Sequence, residues 1–394
     1  MERIIEYHEE ESLSLYGIAF LQGMVFYSPA SVLYRQAAGL NIFQISVIES
    51  ISLFLCFALE IPWGILADRI GYRITMSLCC FFYFISKIIF WKAWSFQDFL
   101  LERIFLSIAV SGLSGVDITL LYLYAPEGKS QKVFGLYEGL GTGGLLTASI
   151  CFSLFLKNNW RRAALLTAAA YGIAFVLALF LLEEKPERLK VSLTKTEKRT
   201  LKLSRSFLFT FNPPFFLFLF GAGLLGETRQ YITVFLNQPQ YIACGLSAGS
   251  IALLYILTLI AGMTGPWSDF LTKKLGIPLF SACCFLGPAL LCFVLAHTRS
   301  PLLSAICILG IQGFVSLFLP LQSELQNQEI SAAHRAAALS LQAMFLELTS
   351  AALELIFGSM AQKSLRLSFS AGVFFCGAGF LLFLLWYRYS LKRH

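Results

Sequence analysis

Charge is what this chain has least of. Lys, Arg, Asp and Glu make up 13% of its 394 residues, against 57% that are hydrophobic. A soluble domain carries about a quarter charged residues and needs them to cover its surface, so a cytosolic enzyme and a disordered tail protein are both excluded. Histidine is scarce as well, with four residues (His8, His297, His334 and His394) far apart in sequence. The ten cysteines form no CxxC pair and no cluster with histidine, so no metal site, redox centre or disulfide scaffold is expected. Almost all of them fall in apolar runs, where a thiol serves as a small hydrophobe. No G-x-x-x-x-G-K-[ST] loop occurs to hold a nucleotide phosphate, so ATP is not expected as the energy source. A basic leader is also lacking. The chain opens with Glu2, Glu6, Glu9, Glu10 and Glu11, the wrong charge for a signal peptide, and the first apolar run is read as a retained span. With no catalytic cluster and no cofactor motif, an enzyme is not expected.

Apolar runs are abundant. Mean hydropathy is +0.71, and windows long enough to cross a bilayer fall near 15–36, 43–66, 74–94, 99–124, 133–156 and 163–182. Six more fall near 214–236, 247–268, 277–297, 301–324, 336–358 and 368–388. The expected fold is an all-α integral membrane protein of twelve transmembrane helices in two six-helix bundles, residues 1–182 and 213–394. A basic linker, 183–212, joins them; its charge places it at the cytoplasmic surface against anionic lipid. With both termini inside, 19 of the 30 Lys and Arg residues are cytoplasmic and eight are not, the bias expected of a cytoplasmic-membrane protein. Arg161 and Arg162 go against it. The net charge of +7 therefore reflects topology and not nucleic-acid binding.

The two halves repeat each other. Gly64-Ile-Leu-Ala-Asp68, after span 2, is matched by Gly265-Pro-Trp-Ser-Asp269, after span 8 and 201 positions later; Cys79-Cys80 and Cys283-Cys284 recur at a spacing of 204. Such internal repetition is common in transporters. The longer segment Gly64-Ile-Leu-Ala-Asp68-Arg69-Ile-Gly71-Tyr72-Arg73 resembles the G-x-L-a-D-r-x-G-r-k signature of the major facilitator superfamily. Gly265 and Asp269 belong to the degenerate second copy, and Tyr72 departs from the pattern by replacing a base. Physically, Gly64 is expected to let two helices approach closely, and Asp68 to face the positive end of a neighbouring helix. The resemblance implies a conformational latch formed by Asp68, Arg69 and Arg73, with Glu127 at the inner end of span 4 as an acidic partner. In span 5, Gly135…Gly139-Leu-Gly141-Thr-Gly143-Gly144 resembles the glycine-rich signature of drug:proton exporters but lacks its Gly-Pro pair. Close helix packing is the preferred reading of that run.

An ionisable group at mid-bilayer is costly unless it faces protein or water, which makes each one a functional candidate. Glu49 and Lys87 share the outer third and read either as a structural ion pair or as separate functional charges. Glu347 and Glu354, seven apart, share a helix face, and Glu227, Gln230 and Tyr231 form a polar stripe on span 7 expected to face a cavity. By the family resemblance, spans 1, 4, 7 and 10 line a central cavity flanked by 2, 5, 8 and 11. That places Asp117, Glu227, Arg229 and Glu347 on the solute or proton path, with Gln22, Tyr27 and Gln312 as neutral neighbours. The function implied is a secondary transporter of a small solute working by alternating access, with protons as the coupling ion because carboxylates at mid-depth can exchange protons. The excess of acids over bases points to export of cationic or amphipathic compounds; uptake of a nutrient or anion is the alternative, and a sensor that no longer transports is a third class. A monomer suffices for this architecture.

Overall fold

A computed structural model of the chain describes residues 2–124, 130–156, 159–181, 213–328 and 335–391, and all regular structure among them is helical. This is the architecture hydrocarbon imposes, because a helix satisfies its backbone hydrogen bonds internally. Span 1 comprises Glu2–Gly23 and Ser31–Ala37, span 2 is Ile42–Ile70, and span 3 is Tyr72–Lys92. Span 4 is split into Phe96–Leu113 and Val116–Tyr124; span 5 is Ser130–Cys151 with a π-helical turn, Phe152–Leu156; span 6 is Trp160–Leu179. In the second half, span 7 runs through Pro213–Gln230, a π-helical turn Tyr231–Leu236, and Asn237–Ala243. Span 8 is Ala248–Ala261, a 3₁₀ turn Gly262–Trp267, and Ser268–Leu275. Spans 9 to 12 are Ile277–His297, Pro301–Gln328, Arg335–Lys363 and Leu365–Leu391.

Nine helical paths among the described residues are long and apolar enough to cross a membrane. The three other spans, 1, 4 and 7, are broken or carry ionisable residues. Span 1 stops at Gly23, and the freed Phe26 N–H donates to Thr167 Oγ1 at 3.0 Å just before Pro29 opens a 3₁₀ turn. Span 4 breaks at Gly115, whose φ of +84° suits glycine and few other residues. Continuous helices over 15–36 and 99–124 were expected, and these two breaks correct that expectation.

Contacts divide the chain into two compact units: Met1–Gly39 with Phe54–Lys202, and Leu40–Leu53 with Leu203–His394. The first has a core around Leu15, Ile18, Met76, Cys80, Leu120 and Ala174. The second has an aromatic core of Phe218, Phe285, Phe318, Phe383 and Trp386. Large apolar side chains such as Phe155, Phe180 and Phe374 stand more than two-thirds exposed, as lipid-facing residues do. The glycines of span 5 behave as expected where they meet span 1: a Cβ on Gly144 would fall onto the Phe20 carbonyl, and one on Gly23 onto the Gly141 carbonyl.

The internal repeat is sharper in structure than in sequence. Spans 3, 4 and 6 begin at Tyr72, Phe96 and Trp160, and spans 9, 10 and 12 begin at Ile277, Pro301 and Leu365, 205 positions later in every case. Upstream the offset is 206, pairing Ser31–Ala37 with Asn237–Ala243 and Gly39 (φ +92°) with Gly245 (φ +83°). The offset falls by one across spans 2 and 8, where the second copy contains its 3₁₀ turn. A 3₁₀ turn rises further per residue than an α turn, so it covers the same length with fewer residues.

Candidate functional site

The signature segment is not a loop. Gly64 to Ile70 forms the last turns of span 2, and the connection to span 3 is the single residue Gly71, at φ +90° and ψ 150°. Gly276 makes the same connection in the second copy, at φ +76° and ψ 155°. Counted back from these glycines, Asp68 is three residues away and Asp269 seven, so the second acidic residue sits one helical turn earlier and Lys273 takes the place of Asp68. Asp68 accepts a hydrogen bond from the Tyr72 hydroxyl at 2.9 Å, which gives the residue that departs from the pattern a contact of its own. Arg73 donates to the Leu179 carbonyl at 3.2 Å, at the C-terminal end of span 6, where a cation is favoured by the helix dipole. Arg69 is exposed. Asp269 pairs with Lys273 at 2.6 Å on an exposed helix face. Glu127 lies outside the described residues.

One expectation fails here. Among the described residues, nothing comes within 4 Å of the position a Cβ on Gly64 would take, so close approach does not explain that glycine. Gly265 is the closer-packed of the two, 3.6 Å from the Ser316 carbonyl by the same measure.

In the first unit, polar side chains of spans 1, 3, 4 and 6 meet around Lys87. Its ammonium lies 3.6 Å from Glu102 and donates to the Tyr27 hydroxyl at 3.2 Å. The Tyr27, Tyr83 and Tyr171 rings surround it at 5.4–5.8 Å. Lys87 is 4% exposed and Glu102 1%. The alternative of a Glu49–Lys87 pair is thereby corrected: Lys87 is held by Glu102, while Glu49 belongs to the other unit. Tyr27 also stacks on Phe90, with ring centroids 4.0 Å apart. Gln22 donates to Cys80 Sγ at 3.4 Å, and its carbonyl accepts from Tyr171. Asp117, just after the Gly115 break, accepts from the Tyr137 hydroxyl at 3.4 Å.

In the second unit, Glu227 is 3% exposed, and its Oε1 is buried without a hydrogen-bond partner among the described residues. Its electrostatic neighbours are Ser350 on span 11, Arg229, and the like-charged Glu49. Arg229 is held by neutral amides, donating to Gln312 Oε1 at 3.3 Å and to Gln230 Oε1 at 3.4 Å. Gln312 also donates to Ser316 at 3.5 Å. Glu347 is half-buried on span 11, one helix face with the buried Glu354. The expected polar stripe on span 7 is interrupted. Tyr231 is fully buried, hydrogen-bonded to Ser46 and stacked on Phe357 at 4.8 Å, so it binds the start of span 2 to span 7 instead of facing a cavity. Glu102, Tyr83, Tyr171 and Ser350 were not singled out from sequence; the Tyr83–Lys87 spacing, i and i+4 on one helix face, was a readable signal for the first group.

A fold of this kind is found in proteins of known structure. The nucleoside transporter NupG is 17% identical, with a TM-score of 0.78 over 96% of this chain and 98% of that one. A bacterial homologue of the human lysosomal transporter Spinster is 17% identical, with a TM-score of 0.76 over 98% of each chain. A D-xylose-proton symporter is 14% identical, with a TM-score of 0.75 over 95% of this chain and 97% of that one. These likenesses establish the fold, and the sequence itself matches the family model of the Major Facilitator Superfamily over residues 13–349. With that match spanning most of the chain, on a fold of twelve membrane helices duplicated in register, the protein belongs to the Major Facilitator Superfamily.

Proposed function

We propose that the protein is a proton-coupled secondary transporter that carries a small solute across the cytoplasmic membrane by alternating access. The observation that carries this reading is Glu227, a carboxylate withdrawn from solvent with one oxygen lacking a partner among the described residues. It sits beside a cation, Arg229, whose side-chain hydrogen bonds among the described residues go to amide oxygens. A carboxylate so placed changes its proton affinity when its neighbours or its access to water change, which is what coupling requires. The acids Glu49, Glu227, Glu347 and Glu354 outnumber Arg229 in the second unit, which favours a cationic or amphipathic solute moved outward. Arg229 itself favours the second reading, uptake of a nutrient or an anion, since these hydrogen bonds go to neutral amides and Glu227 is the counter-charge beside it.

The test is transport by the purified protein in liposomes, screened against cationic dyes, amino acids, sugars and nucleosides with and without an imposed pH gradient. For the solute that moves, Glu227→Gln is expected to lose gradient-driven accumulation and keep exchange across a membrane with no pH difference. If Glu227→Gln still concentrates the solute and Glu347→Gln does not, the proton site belongs to span 11.

A further inference from the structure

The second unit has an open cavity of about 630 Å³ at the end of the bundle where spans 9 and 10, and spans 11 and 12, connect, with Arg299 and Arg366 both exposed. Its wall includes Gln240 and Cys244 from the end of span 7, His297, Thr298 and Arg299 after span 9, and Arg366 at the start of span 12; no lining residue is acidic. The internal repeat shows what is unusual here. At an offset of 205, Arg366 corresponds to Arg161 and Arg299 to Trp94.

In the first unit the arginine is fully engaged. Arg161 donates to the Trp91 carbonyl at 2.8 Å and the Ala93 carbonyl at 3.1 Å, and its guanidinium lies 3.4 Å from the centroid of the Trp94 ring. This explains a cation that opposes the topological bias: it caps the end of span 3. In the second unit the stacking partner has become a second arginine. Arg366 instead donates to His297 Nε2 at 3.0 Å, and His297 Nδ1 lies 2.9 Å from the Phe293 carbonyl. A guanidinium cannot accept a hydrogen bond, so Nε2 is the acceptor and Nδ1 the donor to the Phe293 carbonyl. No carboxylate among the described residues pairs with Arg299 or Arg366. Two guanidiniums thus line one acid-free cavity at positions where the other unit has a stacked cation and ring. Planar forks of this kind match carboxylate and phosphate oxygens.

We propose that this cavity binds an oxyanion, with Arg299 and Arg366 as its charged donors and the group presented either by a free solute or by a lipid headgroup. The site is separate from Glu227, and it stands whether or not transport is proton-coupled.

Cys244, half-buried in the cavity wall, supplies the reporter, and the exposed Cys283, which is not in the wall, supplies the reference. The full chain in detergent is alkylated with N-ethylmaleimide over a range of inorganic phosphate, and both sites are followed by peptide mass spectrometry. Phosphate is expected to slow Cys244 saturably and leave Cys283 unchanged. Arg299→Gln and Arg366→Gln should each raise the half-protecting concentration about tenfold, the change ~1.4 kcal/mol makes. Lys363→Gln, an exposed cation nearby in sequence but outside the wall, should not. The source is read in nanodiscs without phosphate: slowing in phosphatidylglycerol but not phosphatidylcholine identifies an anionic headgroup as an occupant, and no slowing in either leaves a free anion. The proposal is overturned if neither phosphate nor phosphatidylglycerol slows Cys244, or if slowing persists unchanged in the Arg299→Gln/Arg366→Gln double variant.

Discussion

The two units solve the same packing problem with opposite chemistry. In the first, Lys87, Glu102 and Tyr171 form a buried ionic cluster; 205 positions later the same places hold Cys292, Cys307 and Cys376, each no more than 1% exposed, with Cys292 and Cys376 in contact. One unit spends an ion pair where the other uses three small thiols. A buried ion pair must offset the cost of desolvating both charges, and well-packed apolar residues of similar volume often do as well or better. The second unit therefore shows that the fold does not require the charges of the first. The reverse contrast holds for the cations: Lys87 has its carboxylate, its hydroxyl and its ring faces, whereas Arg229 Nε is buried without a hydrogen-bond partner among the described residues, as one oxygen of Glu227 and one of Glu102 also are. An ammonium so enclosed serves stability, while a guanidinium with a free N–H beside a buried carboxylate keeps capacity for a solute or a proton.

The strongest way to break this comparison is to unpair the locked cluster. Lys87→Met or Glu102→Leu alone is expected to cost about 3–5 kcal/mol, since either strands a buried charge, and should appear as a large fall in thermal stability in detergent. The double variant should recover most of the loss, and the triple replacement with cysteines at positions 87, 102 and 171 should fold. A double variant as unstable as the singles would mean the cluster does more than fill space.

Next come the paired hinge glycines. Gly71 and Gly276 occupy a region of backbone space open almost only to glycine, so Gly71→Ala and Gly276→Ala should each cost about 1–3 kcal/mol. Equal losses of thermal stability would sharpen the repeat; a loss confined to one copy would show that only one hinge is held rigidly. Asp68→Asn against Asp269→Asn then separates the copies by function. Asp68→Asn is expected to slow turnover about tenfold, equivalent to ~1.4 kcal/mol in the barrier, with expression unchanged. Asp269→Asn should do less, because it removes only an exposed i, i+4 pair. Wild-type transport by Asp68→Asn would end the latch reading.

The smallest effect is expected at the start of span 4, ahead of its apolar run. Ser95 and Asp98 form a reciprocal capping box, and Ser95→Ala should cost about 1 kcal/mol. The Trp94 N–H, together with the Ser95 hydroxyl and N–H, holds the Asp98 carboxyl below the usual carboxylate range. A lowered folded value means its contribution is complete above the unfolded value and lost as pH falls through the folded one. Asp98→Asn should therefore lower stability at neutral and alkaline pH and leave it unchanged below the folded value, which flattens the acid side of the stability profile.

The spans were legible because long apolar runs cannot be anything else, and Gly141 and Gly144 were legible because glycines one turn apart mark a packing face. The break in span 1 was not, since it depends on Thr167 capturing the Phe26 N–H from 141 residues away. Gly115 did carry a local signal for the break in span 4. The partner of Lys87 could not be read because Glu49 and Glu102 are both buried acids and only tertiary packing chooses between them. Sequence matching paired Asp68 with Asp269, yet the hinge glycines put them one turn out of register, because identity at two of five positions does not fix where a helix ends. The candidate charges Glu227 and Arg229 were visible as polar residues in an apolar run, but that Arg229 rests on Gln312 required the fold.

The π-helical turn at Tyr231–Leu236 sets a phase within span 7. An α-helix advances about 100° per residue, and a π turn accommodates one residue more than an α turn, so everything beyond Leu236 is rotated relative to an uninterrupted helix. Glu227 and Arg229 lie before the turn; Gln240 and Cys244, on the cavity wall, lie after it. Deleting one residue there would leave the first pair in place and send the second pair toward a different neighbour. The number of residues in this one turn therefore decides which side chains of the outer half of span 7 can stand in the cavity wall.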